Sequence, residues 1–466
     1  VFEDVVRKLK ADVPHALALR PGRKYLRHVV RKLPIDTARS GWEAIATRGF
    51  APQTLDGDVG ADWLIIGAGF GGLAAARRLT QRCPGARIVV LDATRLALGP
   101  AGRNSGYMID VPHNVSTGGY AVGDASAIRG EMALNRLAID FSRQAAADYS
   151  MPREVFDPSG KINAAASEGG EAHNAAFAKG LSGIGEPFEV LDGAQMRDLT
   201  GTDYYRSGLH TAGTVLIEPA SFVYRYAEGL RATVEIYEDS PVLELAREQG
   251  RWRARTPKGS VTAPKVILAV NGHIQNFGFF RGRLMHVFTY ASMTAPFRDE
   301  AGRDRWALLP ADPMGATVRK ITHDDGSRIV IRSRFAYRPG LETSQRDLSR
   351  FVKSHRKGFD ARFPQLSKLP FEYTWGGRLC LSWNHTPAFG EVEEGLYSAC
   401  CENGLGTVKS TLAGMMAADL ASGHASPELA AYQDHAEPTR LPPEPIAAIG
   451  ASVVIRMQEM RAGREG

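Results

Sequence analysis

The sequence predicts an α/β protein in which a Rossmann-like domain, built from discontinuous segments, is joined to an α+β domain containing an antiparallel sheet. Three observations predict it. "DWLIIGAGFGGLAAARRL", from Asp62, reads as a buried strand, a glycine turn and a helix. "GLYSACCENGLGTVKSTLAG", from Gly395, repeats that order near the end of the chain. Between them, "HVFTYASMTA" and "SRIVIRSRFAY" alternate as strands of an antiparallel sheet with one covered face do. The chain enters one domain, leaves it and returns.

In chain order, residues 1–58 read as a basic helical arm. Its "RPGRKYLRHVVRK" holds part of the excess charge of a chain with 57 basic and 51 acidic residues, +6 overall. Few aromatics for base stacking are interleaved there, which favours a solvated or subunit-docking extension over a nucleic-acid or membrane handle. Segments 59–115, 205–280 and 375–425 form the Rossmann-like domain. Segments 116–204 and 281–374 form the second, substrate domain, and 426–466 is a C-terminal tail. Residues 127–147 have apolar positions at helical spacing, "VLELAREQGRWRART" reads as a hairpin, and "KVILAV" as a buried strand ending at Asn271 and Gly272.

With 466 residues, 44% hydrophobic and 23% charged, the chain has the length of two packed domains and a globular composition. No stretch approaches the roughly 20 apolar residues of a membrane span. The opening "VFEDVVRKLK" has no apolar signal region, although a start at Val leaves a removed leader open. Cys83, Cys380, Cys400 and Cys401 form no CxxC pair and read as reduced thiols, which with the rest makes a cytoplasmic location the expectation. No metal site is expected.

Gly67, Gly69 and Gly72 make GxGxxG. The first allows a tight turn, the second lets backbone approach a pyrophosphate, and the third lets helix pack on strand. The helix that starts there aims free N–H groups at phosphates. Asp92 ends the next strand, "ARIVVLDA", twenty residues after Gly72, where the ribose-binding acid of a dinucleotide site is expected.

Together these blocks resemble the D-amino-acid-oxidase-like superfamily of FAD-dependent amine oxidases and dehydrogenases, and most of all its γ-glutamylputrescine and sarcosine oxidases. The resemblance runs from about Gly41 to Gly423. "DWLIIGAGFGGLAAARRL" looks like the ADP-binding turn, and "LDATRLALGPAGRNSGYM" like the ribose acid followed by a flavin loop that often reads GASGRNGG. "EDSPVLEL" resembles the strand beside the adenine, "VILAVNGH" the strand that ends in threonine or asparagine and glycine, and "CENGLGTVKSTLAG" the C-terminal flavin turn. The resemblance implies FAD bound through Gly67, Gly69, Phe70, Gly71, Gly72, Asp92 and Ala93, through Arg103, Asn104, Ser105 and Gly106, through Val242, Asn271 and Gly272, and through Asn403, Gly404, Leu405, Gly406 and Thr407. Pro100 and Ala101 stand where relatives often have Ala-Ser, so a hydroxyl toward the pyrophosphate is missing. The histidine or cysteine that carries a covalent flavin in some relatives has no secure match, and noncovalent FAD is expected.

The implied reaction is oxidation of a C–H next to an amine nitrogen, with hydride passing to flavin N5 and the imine then hydrolysed; oxygen or another acceptor takes the electrons. The substrate is expected to be a small amine or amino acid, and the chain to act alone or as a homo-oligomer, without nucleic acid or integral membrane contact. An alternative is a flavin subunit that passes electrons to a partner protein, with the arm as docking element; another is a scaffold with structural FAD. Arg332 and Arg334 alternate on "IVIRSRF", so a strand would put both on one face, either clamping an acidic substrate group or lying exposed. Tyr290 is a candidate to shape the amine end of the pocket. Lys409, early in the second glycine-turn helix, adds positive charge near the flavin or is solvated. His113, His286 and His385 are each either the polar group over the ring or structural.

Overall fold

The computed structural model describes residues 27–112, 125–298, 302–312 and 314–466. Its central sheet runs Val234–Tyr237, Ile88–Leu91, Trp63–Ile66, Lys265–Leu268, Leu396–Cys400, Ala388–Glu393. The first five strands are parallel and the last is antiparallel. "WLII" and "IVVL" are buried at every position because both faces of the sheet are covered. Ile65, Val90 and Ile267 pack against the helices Phe70–Arg82 and Gly406–Ser422. Leu64, Val89 and Val266 face Leu245, Trp252 and Val261 of a second, five-stranded sheet.

That second sheet overturns the expected helical arm for the described part of 1–58. Arg27–Val29 and Gly57–Gly60 are its two edge strands, pairing with Glu244–Glu248 and Gly259–Ala263. Between them only Gly41–Ile45 is helical, capped by Ser40, with Trp42 1% exposed. Ion pairs to Glu244 and Glu238 hold Arg27 and Arg48, so these basic residues fasten the segment to the domain. The part of the arm before Arg27 lies outside the described residues, as does His113.

A further, eight-stranded sheet is ordered Phe371–Ser382, Leu284–Thr294, Gly326–Tyr337, Thr317–His323, Trp306–Pro310, Lys161–Ala165, Ser207–Thr211, Glu189–Leu191. Residues 207–211 and 371–382 thus lie in this sheet, where the sequence boundaries put 205–280 and 375–425 with the Rossmann-like domain. The long helix spans Ala125–Asp148. The tail is docked rather than loose: Glu465 is buried and its Oε1 accepts from Ala166 N and Ser167 Oγ. All four cysteines are free.

The two glycine-turn helices cross where Gly71 meets Gly414; a Cβ on Gly414 would overlap the Gly71 carbonyl oxygen. Further along, Arg78 and Arg82 both donate to the buried carboxylate of Asp419. Those two guanidinium groups hold Asp419 below its ordinary value, although burial opposes them.

Gly414→Ala tests the crossing. Alanine gains about 1 kcal/mol of helix propensity, but a methyl forced into backbone costs about 1–3 kcal/mol because a helix carbonyl cannot rotate aside. The variant is expected to melt below the wild type by circular dichroism; a melting point at or above it would show that the helices part freely.

Candidate functional site

Both glycine-turn helices begin at one cavity of about 560 Å³. Phe70–Arg82 starts from Gly69 and Gly406–Ser422 from Leu405, and neither N-cap residue accepts a side-chain hydrogen bond from its helix. Each leaves first-turn N–H groups without side-chain caps at the cavity wall, a site that attracts anionic or electron-rich groups.

The first turn is shaped by what its glycines exclude. Gly67 has φ +104, and its missing Cβ would overlap Ala269 O. A Cβ on Gly72 would overlap Gly67 O, so this glycine sets helix against strand and does not line the cavity. Gly69 differs: a Cβ there meets only Ala101, at 3.5 Å, and would project into open space. Phe70 and Gly71 line the same wall. Asp92 accepts from Ala68 N (2.8 Å) and Thr94 N (2.9 Å), tying the next strand to the turn, and desolvation pushes its carboxyl up. Ala93 and Val242 line the cavity beside it.

Arg103, Asn104, Ser105 and Gly106 also line the cavity, but the first two are already engaged. Arg103 donates to the carbonyls of Leu98, Gly376 and Ala38, and Asn104 closes its own turn by donating to Ala101 O and accepting from Gly106 N. In the second turn, Asn403 and Gly404 adopt φ of 51 and 90. Asn403 Oδ1 accepts from Ser382 N, while Thr407 Oγ1 donates to Tyr107 O. Asn271 and Gly272 complete this side, and a Cβ on Gly272 would lie 2.7 Å from the His286 ring.

Of the four candidates for chemistry, the cavity takes in Arg332 alone. Arg332 and Arg334 do not share a face. The pairing of Gly326–Tyr337 with Leu284–Thr294 runs from Phe335↔Thr289 to Ser333↔Tyr290, and Arg334 is the bulged residue between them, at φ 64. Arg334 instead donates to Ser354 Oγ and pairs with Glu459. Tyr290 points away from the cavity that Thr289 and Ala291 line; it stacks on Phe351 and hydrogen-bonds Thr343. Lys409 is outside too, paired with Glu131 at 2.8 Å. His286 lines the cavity and burial holds it neutral, down to about 4; His385 does not line it.

Arg332 is half-buried with its open side in the cavity. Its Nε donates to Ser105 Oγ (3.2 Å), and its buried Nη1 has no hydrogen-bond partner. No carboxylate pairs with it among the described residues, and desolvation lowers it to about 10. The Tyr107 hydroxyl, Thr289 Oγ1 and Glu402 Oε2 are further buried, unpartnered polar atoms of cavity residues. Tyr107 and Glu402 stand inside the blocks quoted as the flavin loop and the C-terminal turn but were not singled out, because the glycines there signal backbone geometry and not which side chains face the cavity.

Residues 62–420 match the DAO family of FAD dependent oxidoreductases. The chain belongs to this family. It is an FAD-dependent oxidoreductase. It is 25% identical over 399 residues to the gamma-glutamylputrescine oxidoreductase of Escherichia coli K12, covering 83% of this chain and 89% of that one. It is likewise 25% identical over 390 residues to a probable oxidoreductase OrdL of Haemophilus influenzae, covering 78% and 83%. Among solved structures, glycine oxidase from Geobacillus kaustophilus superposes with a TM-score of 0.66 at 15% identity, over 83% of this chain and 100% of that one. Iminodiacetate oxidase from Chelativorans sp. BNC1 gives 0.61 at 16%, over 78% and 96%. No helix among the described residues is long and apolar enough to cross a membrane.

Gly69→Val separates folding from cofactor binding. Its side chain meets only Ala101 within the protein, so the variant should keep the wild-type circular dichroism spectrum while losing FAD by at least a hundredfold in Kd. Normal FAD content in the purified variant would show that the first turn does not hold the cofactor.

Proposed function

We propose that the enzyme oxidises the C–N bond of a small amine or amino acid that carries an acidic group, and that Arg332 receives that group. The observation behind this is a guanidinium with an open Nη1 and no carboxylate partner among the described residues, set in the cavity wall. A desolvated, unpaired charge costs several kcal/mol. A substrate carboxylate or phosphonate offsets that cost, and a planar guanidinium holds it in a fixed orientation. The substrates named for the similar enzymes, γ-glutamylputrescine, glycine and iminodiacetate, are consistent with an amine of this class.

In this reading the N–H groups of Gly69–Gly71 receive the pyrophosphate of FAD, Asp92 a ribose, and the N–H groups of Gly404–Thr407 the electron-rich edge of the flavin. Bound FAD supplies the acceptor for hydride from the carbon next to the amine nitrogen. The chain's own part is orientation and the control of charge. Arg332 anchors the acidic end, and Tyr107, held protonated by burial, offers its unpartnered hydroxyl. Burial holds His273 down at about 3 and His286 at about 4, so neither adds a positive charge at neutral pH. A desolvating wall favours the neutral amine, whose lone pair is needed as the C–H bond breaks. The resulting imine is then hydrolysed.

The experiment is anaerobic bleaching of the flavin by N-methyl and N-carboxymethyl amino acids, with oxygen uptake measured separately to identify the acceptor. Arg332→Ala is expected to raise KM for an acidic amine at least tenfold, about 1.4 kcal/mol, while FAD stays bound. Arg332→Lys should recover part of this, lacking the fork. Arg334→Ala should leave KM unchanged, because its partners are Ser354 and Glu459. Equal KM for wild type and Arg332→Ala would place the acidic group elsewhere.

A further inference from the structure

Glu402 stands where the strand Leu396–Cys400 gives way to the turn before Gly406–Ser422, and it lines the cavity. Its orientation is determined by its neighbours. Asn271 Oδ1 accepts from Cys401 N (3.2 Å), which turns Asn271 Nδ2 toward Glu402 Oε1 at 2.9 Å. Oε1 is therefore an acceptor, and any proton of this carboxyl sits on Oε2. Oε2 is buried and has no partner.

The groups around Glu402 offer no compensating charge. Cys380, Cys400 and Tyr432 face it from the strands Phe371–Ser382 and Leu396–Cys400 and from the helix Pro427–Gln433. Burial pushes the Cys400 thiol up to about 12 and the Tyr432 hydroxyl above its ordinary value, and the hydrogen bond with Cys401, with burial, does the same for Cys380, so all three are neutral near pH 7. Cys401 adjoins it in the chain and donates its thiol toward Cys380 O. No Lys, Arg or His forms an ion pair with Glu402 among the described residues. Desolvation pushes Glu402 itself up to about 7. An anion here would be buried, unpaired and in the same cavity as the pyrophosphate of the cofactor.

We propose that Glu402 holds the cofactor as the neutral acid, its Oε2–H donating to an acceptor atom of bound FAD. This rests on the assignment of the cavity to FAD. The hydrogen bond satisfies Oε2 and raises the affinity of the carboxyl for its proton in the complex, so binding above about pH 7 must take up a proton. By linkage, FAD affinity falls tenfold for each pH unit between the free and bound values of Glu402, and levels off below the free value. Glutamine reproduces the neutral acid: its oxygen accepts from Asn271 and its NH₂ replaces Oε2–H.

The test is FAD titration, followed by fluorescence quenching from pH 6 to 9, of holoenzyme stripped of flavin. Proton uptake is measured calorimetrically in two buffers of different ionisation enthalpy. Wild type is expected to bind about tenfold more weakly per pH unit above 7 and to take up close to one proton at pH 8.5. Glu402→Gln should keep the wild-type pH 6 affinity at every pH and take up none. Wild type that binds FAD with a flat profile overturns the proposal alone, as does a Glu402→Gln variant weakened tenfold or more at pH 6 while its thermal unfolding is unchanged. The second outcome would mean an ionised carboxylate accepting from a donor on the cofactor. Wild type that binds no FAD at any pH overturns the cofactor assignment together with the proposal.

Discussion

The close contact of Gly71 with Gly414 is the constraint from which the site follows. The carbonyl of one lies where the Cβ of the other would be, so the helices Phe70–Arg82 and Gly406–Ser422 approach backbone to backbone. Their parent strands, Trp63–Ile66 and Leu396–Cys400, flank Lys265–Leu268 in the same sheet. Because those strands are parallel, both helices leave from the same end of the sheet, and both N-termini reach one cavity. Away from the cavity, Asp419 accepts from both Arg78 and Arg82, so the crossing is locked electrostatically as well as by shape. A Cβ on Gly414 could be accommodated only by moving the helices apart, and with them the donors they present together.

What was legible in the sequence was what short-range backbone geometry demands. Gly67 needs φ near +104 and Gly72 needs the absence of a Cβ, and no neighbouring fold changes these requirements. Buried parallel strands are apolar on both faces, so "WLII" and "IVVL" were readable as well. The misreadings came from interactions between segments far apart in sequence. Arg27–Val29 is a strand because Glu244–Glu248 pairs with it, a partner more than two hundred residues away. Arg334 left the face of Arg332 because a single bulge shifted the register, and an alternation count cannot detect a bulge. Lys409 is on the expected helix, but Glu131 of another helix holds it outside the cavity. Glu402 was passed over since the glycine fingerprint beside it says nothing about an acid.

The lining of the cavity is differentiated by charge rather than uniformly polar. The helix N-termini offer partial positive charge without a titrating group, suited to a cofactor whose phosphates are always ionised. Arg332 offers a full charge, and it does so from a strand of the eight-stranded sheet rather than from a glycine turn. Burial holds three further lining side chains neutral, Tyr107 by an upward shift and His273 and His286 by downward ones, while Arg103 and Arg378 are paired with Asp36.

That neutrality has a kinetic meaning. An ammonium has no lone pair to assist loss of hydride, and a cationic neighbour would lower the amine's pKa but also repel positive charge developing on carbon. A carboxylate neighbour would do the reverse and hold the substrate protonated. A wall of desolvated, neutral groups would disfavour the ammonium through lost solvation without adding a like charge to repel the developing iminium. Of the cations that line the cavity, Lys32, Arg95, Arg103 and Arg378 have carboxylate partners and Arg332 has none among the described residues; in the proposed function the acidic end of the substrate would be its counterion. Once that pair has formed, the field of the guanidinium on the reacting carbon is largely cancelled. Under the proposed function, substrate binding would complete the electrostatics of the site, and an amine without an acidic group would leave the positive charge of Arg332 uncompensated.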